Sequence, residues 1–245
     1  MKTGLKINIA HLYPELLNIY GDRGNILTIK KRCEWRGIEI KIDEIGLNNQ
    51  IDFEKYDFYF IGGGQDKQQI AVSHELQKHK TSLLKARDKM AVFLAICGGY
   101  QLLGHYYLPH NAQKLDGIGL LDAYTVAGNN RFIGNVTAEC DFVEPKTLVG
   151  FENHSGLTYL ENDTIPIAKI HTGNGNNGKD KKEGARCCNV FGTYLHGSFL
   201  PKNVHFADYL IMLALEKRYK EKIALIPLND AIETKNHDNL INKKY

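Results

Sequence analysis

Two apolar runs constrain this fold most: "YDFYFIGGG" at 56–64 and "AVFLAICGG" at 91–99. Each is continuously apolar and ends in glycine, the pattern of a strand buried on both faces. Between them, Lys67 to Lys89 reads as a helix with polar interruptions. Upstream, "KINIAHL" reads as a strand and "NILTIKKRCEWRG" as a helix, with Asn25 as N-cap and Gly37 as its stop. "IEIKIDEI" then alternates as a half-buried strand does. Strands alternating with helices predict an α/β fold: a mostly parallel central sheet with helices on both faces.

The second half reads differently. "RFIGNVTAEC", "TLVGFENHSG", "IPIAKIHTG" and "CCNVFGTYLHGSFL" are strand-like and joined by polar, Asn/Gly-rich connections, which predicts an antiparallel extension. A helix is expected over Asn203 to Lys217. The stretch "GNGNNGKDKKEG" spells G-x-G-x-x-G, but a charged, aperiodic segment follows it instead of a helix. That excludes a dinucleotide site and predicts a solvated, mobile loop. Lys179 is followed by Asp180, which excludes a P-loop. With no convincing linker, residues 1–222 are expected to form one domain and 223–245 a tail or short helix.

A chain of 245 residues with 43% apolar content can bury a core without disulfides or metals. The formal charge of +3 gives no argument for a nucleic-acid partner. Five cysteines, an odd number with Cys187 and Cys188 adjacent, do not form a disulfide framework. They point to a reducing, cytoplasmic setting, and the adjacent pair reads as strand residues on opposite faces. The N-terminus has no secretory h-region, and no apolar run approaches the roughly 20 residues a membrane span needs.

Chemistry centres on Cys97. A sharp strand-to-helix turn puts its side chain at the carboxyl edge of the sheet, where open α/β folds bind ligands. Gly98 and Gly99 let the backbone crowd there, as in a nucleophile elbow. The following helix directs its N-terminal N–H groups at Cys97, which favours the thiolate. A cysteine nucleophile needs a base, and His196, His154 and His171 each end a strand-like segment beside a polar or small residue. His11, His74, His79 and His110 read as surface residues. Gly62, Gly63 and Gly64 end the neighbouring strand and can offer N–H groups to an oxyanion, with Gly98 as a second source.

"AICGGYQLLG" resembles the nucleophile motif of class I glutamine amidotransferases, and "TYLHG" the histidine motif of their cobyric-acid-synthase-like branch. "YGDRGNI", "FIGGGQDKQQ", "LDGIGLLDAYT", "NRFIGN", "VGFENHSGLTYL" and "GTYLHGSFLPKN" resemble, in collinear order, the GatD family of glutaminase subunits of lipid II isoglutaminyl synthases. The resemblance implies the flavodoxin-like three-layer fold of these enzymes. It implies Cys97 as nucleophile and His196 as base, with oxyanion donors from Gly63, Gly64 and Gly98. L-glutamine would be bound by Arg131 and Gln101, while Glu152 and His154 would have supporting roles. In the commoner branch, Pro-Glu follows the histidine. Here Gly197 and Ser198 do, so the chain offers no obvious third member, and an aspartate of a partner is one source. The resemblance also implies a heterodimer with a MurT-like Mur ligase subunit. ATP, Mg²⁺ and lipid II would bind that subunit, and no cofactor would bind this chain. The work would be done in the cytoplasm, at the inner face of the membrane through the lipid-linked substrate. The alternatives are a glutaminase serving another acceptor, such as a corrin carboxylate, and a cysteine hydrolase or chaperone-like protein of the same fold.

Overall fold

A computed structural model describes residues 4–110 and 112–242. The first half builds β1 (Lys6–Leu12), α1 (Arg23–Glu34), β2 (Glu39–Ile45), β3 (Phe58–Ile61), α2 (Asp66–Asp88), β4 (Val92–Ile96) and α3 (Gly98–Leu103). β1 pairs in parallel with both β2 and β3, and β3 with β4. Every residue of β3 and β4 is buried. Successive strand side chains point to opposite faces, so helices must cover both. The apolar runs are thus the centre of the core.

α1 begins two residues earlier than its expected cap. Asn25 lies inside the helix, and its Oδ1 accepts the Leu200 N–H at 2.8 Å. His11, expected at the surface, is buried near the end of β1 because that strand is central.

The second half adds β5 (Tyr106–Leu108), β6 (Leu115–Asp116), β7 (Ala123–Glu139), β8 (Thr147–Leu160), β9 (Ala168–Thr172) and β10 (Lys182–Glu183). These form a second sheet, mostly antiparallel, built on the long β7–β8 hairpin. The segment carrying His196 departs from expectation. β11 (Ala185–Cys187) and β12 (Val190–Thr193) leave the antiparallel sheet and join the central one, in the order β11-β12-β4-β3-β1-β2. β12 runs parallel to β4. Cys187 ends β11, while Cys188 sits exposed in the turn with φ +53°, so the two are not a strand pair.

α4 (Phe199–Lys202), α5 (Val204–Tyr219) and α6 (Ala231–Asn242) complete the chain. The C-terminal segment is tied to the rest: Arg32 donates to Asp208 and Asp230, and His237 bonds Thr147 and the Lys202 carbonyl. No described helix is long and apolar enough to cross a membrane.

The G-x-G-x-x-G stretch is not a free loop. Glu152 accepts the N–H groups of Asn174 and Gly175, and Asn176 and Asn177 are buried. Asn176 Nδ2 donates to the Gly184 carbonyl, and Asn177 Nδ2 to the Thr158 carbonyl. The asparagine amides satisfy the backbone that a solvated loop would leave to water.

Candidate active site

Three parallel strands of the central sheet end at one edge, and each brings a piece of the site. β4 ends in Cys97, which adopts φ 49°, ψ −106°. A positive φ at a non-glycine residue is strained and persists only where the surroundings enforce it. They do so through packing and hydrogen bonds. A Cβ at Gly99 would come within 2.7 Å of the Gly62 carbonyl oxygen, so the helix–strand approach requires glycine there. The Cys97 N–H donates to the Thr193 carbonyl at 2.8 Å, tying the turn to the end of β12.

β12 leads through Tyr194 and Leu195 to His196. The His196 N–H donates to the Phe151 carbonyl on β8 at 2.8 Å, and the imidazole is completely buried. It stands beside Cys97 on one side, close enough for the thiol's charge to act on it. On the other, its Nδ1 lies 3.4 Å from Oδ1 of Asp22, which is also completely buried. Burial alone would lower the His196 pKa. The negative charges that Cys97 and Asp22 can carry outweigh it and push the pKa up to about 10.

The structure separates the three candidate histidines. His171 is exposed beside Glu139. His154 is buried and stacked on Tyr194, with ring centroids 3.6 Å apart, and burial pushes its pKa down to about 4. Only His196 meets Cys97.

β3 ends in the triple glycine. Cβ atoms at Gly62 and Gly64 would collide with Leu17, so this loop lies directly against the 13–22 segment. The Gly63 N–H donates to Asp22 Oδ2 at 2.7 Å. It is therefore engaged, and the expectation that Gly63 serves an oxyanion is corrected. Gly64 and Gly98 remain for that role: the Gly64 nitrogen lies 3.0 Å from where a Gly98 Cβ would be.

A cleft of about 400 Å³ opens beside Cys97, walled by Gly64, Gln101, Arg131, Asn153 and His154 among others. Arg131 stands where the β7–β8 register shifts between Ala127 and Phe132, and its Nε donates to Asn153 Oδ1 at 2.6 Å. Gln101 also borders the cleft, but its amide is bonded to protein at both ends. It accepts from Gln69 Nε2 at 2.8 Å and donates to the Tyr194 hydroxyl at 3.2 Å. These bonds brace the elbow, while the amide still borders the cleft.

Asp22 was missed in the sequence. It lies in the quoted "YGDRGNI", but an aspartate just before a helix reads as an ordinary N-cap. In the structure it makes no capping bond with its side chain.

A thiol beside an imidazole, with backbone N–H groups close by, is equipped for nucleophilic acyl transfer. Comparisons with known proteins agree with that chemistry. The family model of the CobB/CobQ-like glutamine amidotransferase domain matches residues 8–204. The chain is 42% identical, over 93% of its length and 87% of the relative's, to the lipid II isoglutaminyl synthase (glutamine-hydrolyzing) subunit GatD of Streptococcus pneumoniae. It is also 42% identical to the subunit of the same name from Staphylococcus aureus, over 87% of its length and 86% of the relative's. Among solved structures, PurLQS from Thermotoga maritima matches with a TM-score of 0.56 at 16% identity. That match covers 89% of this chain and 100% of the other, and shows the likeness of fold.

Proposed function

Because the chain belongs to the CobB/CobQ-like glutamine amidotransferases, among the GatD subunits, we propose that it is the glutamine-hydrolysing subunit of a lipid II isoglutaminyl synthase. The observation that carries this reading is the strained Cys97 at the strand end, beside a buried His196 and opening onto the cleft.

In this reading L-glutamine enters the cleft with its α-carboxylate on the Arg131 guanidinium, a fork suited to bidentate pairing. The Cys97 Sγ attacks the side-chain carboxamide carbon. The N–H groups of Gly64 and Gly98 take the oxyanion. The C–N bond breaks as His196 gives its proton to the leaving nitrogen, which departs as ammonia. The resulting glutamyl thioester is attacked by water, with His196 taking a proton. Glutamate leaves and the thiol is restored.

The ammonia goes to a MurT-like ligase subunit, which activates the D-glutamate α-carboxylate of the lipid II stem peptide with ATP and Mg²⁺ and yields D-isoglutamine. In this reading the work is done in the cytoplasm, at the membrane face that presents the lipid-linked substrate. The test is glutamate release from glutamine by the chain together with its ligase subunit. The wild type is expected to release glutamate and Cys97→Ala to release none. Full activity in Cys97→Ala would overturn the assignment of the nucleophile.

A further inference from the structure

We propose that the turn at 173–178, gripped by Glu152, is the strut that holds Arg131 at a set distance from Cys97, so that Glu152 is a positioning residue for the substrate's α-carboxylate; the proposal rests on the glutaminase reading above.

Arg131 needs such a support. It is exposed and ends the irregular stretch of β7 after Ala127, where the register with β8 shifts before Phe132. Its position therefore depends on Phe132, where regular pairing resumes, and on Asn153, which accepts from its Nε. Phe132 is held on two sides. Its ring meets His154 of β8 edge to face, with centroids 5.5 Å apart. The turn closes the other side: a Cβ at Gly178 would come within 2.7 Å of the ring's Cζ, so ring and backbone touch.

The turn is fixed in a way its polar composition hides. The Gly178 N–H donates to the Asn174 carbonyl at 3.0 Å and closes it. Glu152, buried on β8, accepts the Asn174 N–H at 2.9 Å, the Asn174 Nδ2 at 2.6 Å and the Gly175 N–H at 3.0 Å. A buried carboxylate is costly unless donors fill its oxygens, and here the turn supplies them. Elsewhere in the turn, Asn176 Oδ1 accepts from the hydroxyl of Tyr100, on the elbow helix α3, at 3.3 Å. The turn thus touches the elbow at one point and the neighbour of Arg131 at another. This gives the G-x-G-x-x-G spelling a reason other than nucleotide binding: Gly173, Gly175 and Gly178 all take positive φ, at 107°, 64° and 71°. Glutamine presents its α-carboxylate and its carboxamide carbon a fixed number of bonds apart. A clamp that drifts leaves one of the two misplaced.

In Glu152→Gln, an NH₂ group faces at least one of the turn's N–H donors, which releases the turn at nearly constant side-chain size. The complex with the ligase subunit is assayed for glutamate release. KM for glutamine should rise at least about fivefold with kcat within about threefold, because the clamp is displaced and the thiol is not. A smaller rise in KM overturns the proposal. So does a fall in kcat as large as the rise in KM, since the turn would then be supporting the elbow. Added to Arg131→Lys, Glu152→Gln should raise KM by less than about twofold, because it acts through that guanidinium. A double variant that multiplies the two single effects overturns the proposal. Where Glu152→Gln does not fold, Gly178→Ala gives the reading from an exposed position. Its methyl presses on Phe132, and the same split is expected; an unchanged KM overturns the proposal.

Two reagents for Cys97 separate this outcome from the glutaminase reading. Iodoacetamide carries no α-carboxylate, whereas the chloroketone analogue of L-glutamine does. Glu152→Gln should react with iodoacetamide within about twofold of the wild-type rate, and with the chloroketone at least about fivefold more slowly. Equal rates with the chloroketone, or equal slowing with both reagents, overturn the proposal. A wild-type complex that releases no glutamate, while the variant shows this contrast, sinks the glutaminase reading and leaves the strut standing.

Discussion

At the scale of single residues, the site depends on groups whose neighbours remove their freedom. Cys97 is held in a strained backbone by glycines that no side chain can replace. His196 is held between a thiol and a carboxylate. Arg131 differs, because it stands on a register shift and reaches the cleft from the edge of the second sheet. Replacing it with lysine keeps the charge and removes the planar fork. Losing one of two charge-assisted hydrogen bonds costs on the order of 1.4 kcal/mol, a tenfold change in an equilibrium constant. Steady-state kinetics of Arg131→Lys should therefore show KM raised about tenfold with kcat within about threefold. An unchanged KM would place the substrate carboxylate elsewhere. Cys97 and the glycines were legible because their pattern shows in local spacing, whereas His196 stood out from His154 and His171 only by resemblance to the family's histidine motif. Asp22 was not, because its two partners, Gly63 and His196, meet it only after the chain has folded.

At the scale of elements, the decisive feature is the return of β12 to the central sheet. Its four residues, "VFGT", are as fully buried as β3 and β4, yet the strand follows a run of antiparallel strands and reads as one more of them. Pairing parallel to β4 is what brings His196 beside Cys97. The short β10 supports this return. Glu183 Oε1 accepts from the Thr193 hydroxyl at 2.6 Å and the Tyr194 N–H at 2.9 Å, while its other oxygen is buried without a partner. Burial pushes its pKa up from 4.5 to about 7. The folded state thus favours the protonated acid. This contribution to stability is complete below about pH 4.5 and is lost as pH rises through about 7. Glu183→Gln mimics the protonated form, so its melting temperature should fall less between pH 5 and 8 than that of the wild type. Parallel curves would show that Glu183 stays ionised. The asparagine-rich loop makes the opposite lesson plain: polar composition predicts solvation, but Glu152 and the loop's own amides bury it.

At the scale of the whole molecule, the alternation of strands and helices was enough to predict a parallel sheet, and the glycines after Cys97 put that residue at the sheet's carboxyl edge. It did not predict that the antiparallel strands form a separate sheet, because pairing between distant segments leaves little trace in either one. The C-terminal segment was also obscure, since its docking depends on Arg32, Asp208 and Asp230 meeting from three parts of the chain. The two sheets form one cleft between them, with the thiol on one wall and Arg131 on the other. The central claim is that this cleft frees ammonia for a ligase that amidates lipid II. The most direct test supplies the chain and its ligase subunit with ATP, Mg²⁺ and lipid II, and measures D-isoglutamine in the stem peptide by mass spectrometry. The wild type should amidate with glutamine as nitrogen source, and Cys97→Ala only when ammonium is added. Amidation from glutamine by Cys97→Ala, or none by the wild type from either source, would contradict the claim.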